Sequence, residues 1–245
     1  AQFVKTFLGA HAIPKEFASS KEYLDFLSEF VFPEIKRKKL ADRVDIFIEK
    51  GFFSSQESLS YLELAQKLGF DITIHADQLT LSGGSELAVQ LQAVSADHII
   101  QIQDSEIKKI AGSDVTGVLL PLADLYMKCA YPPARKLIDA GARVALATDF
   151  NPGTCPSQDI QLVGLLARLE MKMTLPEVIV AYTLGASHAL RRSHIEGSIE
   201  VGKSAHFIFL EDSYQSLFYS STETCVSHRF FSDTLEQLSK YRDVR

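Results

Sequence analysis

The sequence predicts an α/β protein, read as a stretch of (β/α)8 TIM-like barrel with a flavodoxin-like open sheet as the runner-up. Three observations carry this. Strand-like and helix-like segments alternate along the chain, each unit close to the size of a βα repeat. His11, His75, His98 and Asp149 all fall at or just past the C-terminal ends of predicted strands, the edge where barrel enzymes keep their chemistry. Beyond about Glu196 the alternation stops and short β segments follow.

In chain order, Lys5–Ala12 is strand-like and ends at His11 before Pro14. Leu24, Leu27, Phe30 and Val31 recur at helical spacing over 20–31, and Lys36-Arg37-Lys38-Lys39 reads as a solvated helix end. Residues 44–49 alternate with period two. Ser54 with Glu57 forms a capping box for a helix whose stripe is Leu59, Leu62, Ala65 and Leu68, closed at Gly69. The strand 71–75 delivers His75 and Gln78 follows it; Gly83-Gly84 then precedes a helix over 85–92. Ser95–His98 is a short strand, 105–111 a short helix and 115–121 a strand. Pro132-Pro133 opens a helix over 134–140 that Gly141 ends. The apolar run Val144–Thr148 ends in Asp149 and a loop holding Asn151, Gly153 and Thr154. Helices are expected over 157–171, 174–184 and 187–192. Two short strands around a Gly-Lys turn are expected over 197–210, before a polar tail. The expected domains are thus 1–195 and 196–245.

Bulk properties narrow the function. A hydrophobic content of 46% with 23% charged residues suits a globular chain of 245 residues. The net charge of −6 argues against a nucleic-acid surface. No apolar run reaches bilayer length and no signal-peptide pattern opens the chain, so no membrane is expected. Cys129, Cys155 and Cys225 lack CxxC spacing, which points to a reducing, cytoplasmic setting. The start at Ala1, almost at once strand-like, suggests a sequence that begins inside a domain.

The strand-end set suggests a metal-dependent hydrolase. His75 and Asp149 offer a borderline and a hard ligand, suited to Zn2+ or iron, and a metal there could bring a bound water's pKa near neutrality. Asp149 could take that water's proton, and His98 could polarise a substrate oxygen or shuttle a proton. Asn151, Gly153 and Thr154 carry neutral donors suited to an amide or carboxylate, although the same residues also make ordinary turns. Two protein ligands are too few for a stable site, so further ligands are expected from elsewhere. His188, His194, His206 and His228 have no strand-end position and read as structural or exposed.

At this point the motifs Thr6–Ala12, His75-Ala-Asp-Gln78, Ser95–His98 and Ala147–Thr154 resemble the amidohydrolase superfamily, and within it the imidazolonepropionase family. The resemblance runs over about residues 3–205. It implies a distorted (β/α)8 barrel, of which this chain would hold about strands three to eight, beside part of a small β-sandwich. It implies one Zn2+ or Fe3+ per subunit held in part by His75 and Asp149. His11, Gln78 and Thr154 would contact a small-molecule substrate, 4-imidazolone-5-propanoate; Asn151 and Gly153 would hold the opened product, N-formimidoyl-L-glutamate. His98 would assist catalysis. The reaction belongs to histidine degradation, and a homodimer is compatible with it. The superfamily's His-x-His pair is absent from these 245 residues, so the chain alone is expected to be an inactive piece. No lysine stands in the bridging position of dinuclear members, which favours one metal. Gln78 stands where some members have Glu, leaving proton transfer to Asp149 and His98. His206 replaces an expected Asp, a change expected to be structural. A nucleobase deaminase of the same superfamily is the alternative reading.

Overall fold

The structure is a computed structural model that describes residues 3–211, 213–220 and 226–232. Six parallel strands form one sheet: β1 (Thr6–Ala10), β2 (Arg43–Ile48), β3 (Asp71–Ala76), β4 (Ser95–His98), β5 (Thr116–Leu119) and β6 (Val144–Leu146). Their order in the sheet is their order in the chain. A doubly wound sheet reverses direction at a switch point, and this one does not, so the barrel reading holds over the flavodoxin-like one. β1 and β6 are the outer strands.

Ten α-helices accompany the strands among the described residues. They are α1 (Ser20–Phe26), α2 (Phe32–Lys38), α3 (Ser55–Lys67), α4 (Gly84–Gln90) and α5 (Asp104–Ala111), then α6 (Pro121–Met127), α7 (Ala134–Asp139), α8 (Ile160–Leu169), α9 (Leu175–Val180) and α10 (Ala186–Ala189). π-helical turns over Leu27–Val31 and Ala181–Gly185 join α1 to α2 and α9 to α10. The helical path therefore continues past Val31 into α2, which carries Pro33 in its first turn and is capped by Lys39 in the left-handed region. The Ser54–Glu57 capping box forms as expected. α6 departs from the strand expected over 115–121: the strand ends at Leu119 and Pro121 opens a helix.

Strand alternation divides the sheet into two chemically opposite faces. Val44, Ile46 and Ile48 sit in register with Ile72, Ile74 and Ala76, and Ile74 with Ala96, all buried in the main core with Leu62, Ala65 and Leu87. The opposite phase carries Arg43, Asp45, Thr73, His75, Ser95, Asp97 and Thr116. A buried polar phase is costly unless its groups pair with one another, so this face is where ligands and internal hydrogen bonds must be sought.

Beyond the sheet, β7 (Ala205–Leu210) pairs antiparallel with β8 (Val226–Ser232). Of the two strands expected around a Gly-Lys turn, the first is not formed and the second is β7. Ile199 and Val201 are almost fully exposed without a strand partner, and Ala205–Leu210 pairs downstream instead. His206 Nδ1 lies 3.1 Å from Glu196 Oε2, a structural contact as expected. Cys129 and Cys155 are free thiols; Cys225, the His228 side chain and the tail 233–245 lie outside the described residues.

Candidate active site

The rim is built by strand ends that depart from ordinary backbone geometry. His98 (φ 71°), Ile99 (φ 47°), Asp77 (φ 48°) and Asp149 (φ 55°) are all in the left-handed region, uncommon for residues other than glycine. At His98 the consequence is direct. Regular alternation would send its ring to the helix side with Ala96. The turned backbone brings it instead within 5.2 Å of the His75 ring, centroid to centroid. Such strain, about 1–3 kcal/mol per residue, persists only where surrounding structure over-determines it, and it clusters at functional sites.

Two groups converge there. Ligand atoms of His75, His98 and Asp149 lie within 4.8 Å of one another, and so do those of His11, Asp45 and His75. The second group is already satisfied internally: Asp45 Oδ1 stands 2.9 Å from His11 Nε2 and 2.8 Å from His75 Nδ1. Thr73 Oγ1 donates to Asp45 Oδ2 at 2.6 Å. The first group is not satisfied, because the buried Nδ1 of His98 has no hydrogen-bond partner. An orphaned imidazole nitrogen beside a second imidazole and a carboxylate is a donor set that fits a borderline cation such as Zn2+ or iron.

Burial and neighbours set the charges. Burial, with the His75 charge beside it, pushes His98 down to about 3, so the ring is neutral. Burial opposes ionisation of Asp45, but His75 and His11 outweigh it and hold the carboxyl below the usual range. Burial likewise opposes a charge on His75, and Asp45 overrides it, raising the ring to about 9. Burial raises Asp149 above the ordinary carboxyl value. It pushes Asp97 up to about 7, and Asp124 to about 7 with help from Asp149.

The remaining expected residues fall around this centre in different ways. His11 packs its ring 4.6 Å from that of His75. Gln78 is buried, with its amide 3.7 Å from Met127 Sδ of α6. Asn151 is occupied within its own loop: its Oδ1 accepts from the backbone N–H of Gly153 and Thr154, and its Nδ2 donates to the Asp149 carbonyl and Thr154 Oγ1. These groups brace Asp149, and a ligand would have to exchange with those bonds. Sequence reasoning missed Asp45, Asp97 and Asp124. The available signal for Asp45 was its phase: it lies on the same side of β2 as His75 does on β3, inside an otherwise apolar strand.

The model of the amidohydrolase family matches residues 45–235, which takes in His75, His98 and Asp149. The chain belongs to the amidohydrolase family. Among curated amidohydrolase relatives, the imidazolonepropionase of Bdellovibrio bacteriovorus is 64% identical over 220 residues, covering 90% of this chain and 52% of that protein. The imidazolonepropionase of Bacillus thuringiensis is 46% identical over 213 residues, with coverages of 86% and 50%. The chain thus spans about half the length of the curated relatives it matches. Two solved structures share the fold. An adenosine deaminase from Xanthomonas campestris with bound zinc superposes with TM-score 0.69 at 20% identity, over 91% of this chain and 58% of that one. An atrazine chlorohydrolase from Arthrobacter aurescens complexed with zinc gives 0.67 at 15% identity, over 85% and 54%. No helix among the described residues is long and apolar enough to cross a membrane.

Proposed function

We propose that the protein containing this chain opens the cyclic amide ring of 4-imidazolone-5-propanoate to N-formimidoyl-L-glutamate, with one Zn2+ or Fe3+. The observation that carries this reading is the 64% identity to an imidazolonepropionase across 90% of the chain. Within the chain, His75 and Asp149 would hold the cation, with further ligands supplied from outside it. When bound, such a cation acidifies a water and polarises the amide oxygen.

The chain's own residues do the rest. Asp149, partly desolvated and raised above the ordinary carboxyl value, is suited to take the attacking water's proton and return it to the departing ring nitrogen. The neutral His98 ring, unpartnered at Nδ1, can accept or relay a proton at the carbonyl. His11 and Gln78 line the substrate side, and the Asn151–Thr154 loop offers amide and hydroxyl donors to the product. Gln78 has no proton to take up or release, so the acid–base work falls to Asp149 and His98. The β7–β8 pair is read as part of a small β-sandwich following the barrel domain.

The test is a side-by-side assay of the full-length, metal-loaded protein. Loss of imidazolonepropanoate is the expected result, with no ammonia released from adenine, guanine or cytosine. Ammonia release without ring opening would replace this reading with a nucleobase deaminase. The same assay on the 245-residue polypeptide alone is expected to show no turnover.

A further inference from the structure

We infer that Asp45 is a positioning residue that fixes the ring tautomers of His75 and His11, leaving His75 Nε2 and His11 Nδ1 free for other partners. No sequence motif marked this residue; the inference comes from its contacts. Asp45 sits in the middle of β2, essentially inaccessible at 1% exposure, where a carboxylate is costly unless every oxygen is satisfied. Its two oxygens are fully engaged. Oδ1 accepts from His11 Nε2 (2.9 Å) and His75 Nδ1 (2.8 Å), and Oδ2 accepts from Thr73 Oγ1 (2.6 Å) and His75 Nδ1 (3.0 Å).

Strand register makes the arrangement specific. Asp45 lies in register with Thr73, and His75 follows Thr73 on the same phase of β3. His11 comes from the turn after β1, on the other side of β2 in the sheet. One carboxylate thus clamps groups from both neighbouring strands.

The clamp decides which ring nitrogens remain available. A carboxylate accepts and does not donate, so both nitrogens it meets must carry protons. His75 is then protonated at Nδ1, and Nε2 is the atom left for the group it forms with His98 and Asp149. His11 is protonated at Nε2, so its free atom is Nδ1, an acceptor for a donor N–H. A carboxylate behind a ligand histidine orients the ring and raises its basicity toward a metal. Asp45 itself has no lone pair to spare for a cation, which separates it from the ligands. The inference deepens the proposed function and rests on it for what the free atoms meet: a cation at His75 and a ring N–H of a cyclic amide at His11.

The experiment uses the full-length, zinc-loaded protein labelled with 15N-histidine, and its Asp45→Asn variant. Long-range 1H–15N spectra of the wild type should show His75 protonated at Nδ1 and His11 at Nε2. Asp45→Asn should lower zinc affinity about 10–100-fold in chelator competition, and raise KM for imidazolonepropanoate through His11. Wild-type spectra with His75 protonated at Nε2 would overturn the inference, and so would unchanged zinc affinity in a folded Asp45→Asn protein. If the variant does not fold, the wild-type spectrum decides by itself. If the wild type binds zinc yet opens no imidazolone ring, the proposed function fails separately, and the affinity comparison still decides the role of Asp45.

Discussion

At the scale of single residues, the site is a balance of buried acids with unequal neighbours. Asp45 is surrounded by donors and stays ionised, whereas Asp124 is fully buried with neither oxygen partnered. Burial and the nearby Asp149 push Asp124 up to about 7. The folded chain therefore keeps this proton up to about pH 7, while the unfolded chain releases it near about pH 4. The native state binds more protons across that window, so Asp124 erodes stability as pH rises from about 4 to about 7. Asp124→Asn should match the wild type near pH 4 and exceed it by about 4 kcal/mol at pH 8, in urea unfolding followed at both pH values. Equal stability at pH 8 would mean that Asp124 finds a partner in solution. Sequence reading found His11, His75, His98 and Asp149 because each closes an apolar run. It missed Asp45 and Asp97 because they lie inside strands, where only the register between strands reveals which face they share.

At the scale of elements, the strands were legible because apolar runs bounded by glycine, proline and polar residues leave few alternatives. The missed helix α6 has a physical reason. Leu119-Leu120-Pro121-Leu122-Ala123 stays apolar across the boundary, since strand end and helix start are both buried. Periodicity is silent there, and Pro121 at the first helical turn was the one local marker. The π turn at Ala181–Gly185 was equally hidden within a continuous helical pattern, yet it matters for the site. It packs on β6, and a Cβ at Gly185 would stand 2.0 Å from the Val144 carbonyl oxygen. Gly185→Ala should therefore push the turn off the strand that carries Asp149, costing about 1–3 kcal/mol in urea unfolding. A variant as stable as the wild type would show that this approach is not tight in solution. The Gly-Lys hairpin expected near 202 forms only its second strand, which pairs with β8, while Ile199 and Val201 stay exposed outside any strand.

At the scale of the whole molecule, a sheet with strands in chain order presents one apolar face to its helices and one polar face to the site. That division was visible in the period-two pattern of residues 44–49. Which polar groups would meet could not be read from it, because strand-end φ angles re-aim His98 and Asp149. The chain spans about half the length of its curated relatives, so its chemistry belongs to the full-length protein. In the proposed function, Asp149 at this rim serves a metal-dependent ring opening. The most direct measurement is steady-state imidazolonepropanoate hydrolysis by the full-length protein and its Asp149→Asn variant at saturating metal, with folding checked by circular dichroism. A folded Asp149→Asn variant should be at least about 10³-fold slower, having lost a ligand and a proton acceptor together. A folded variant within tenfold of the wild type would contradict it.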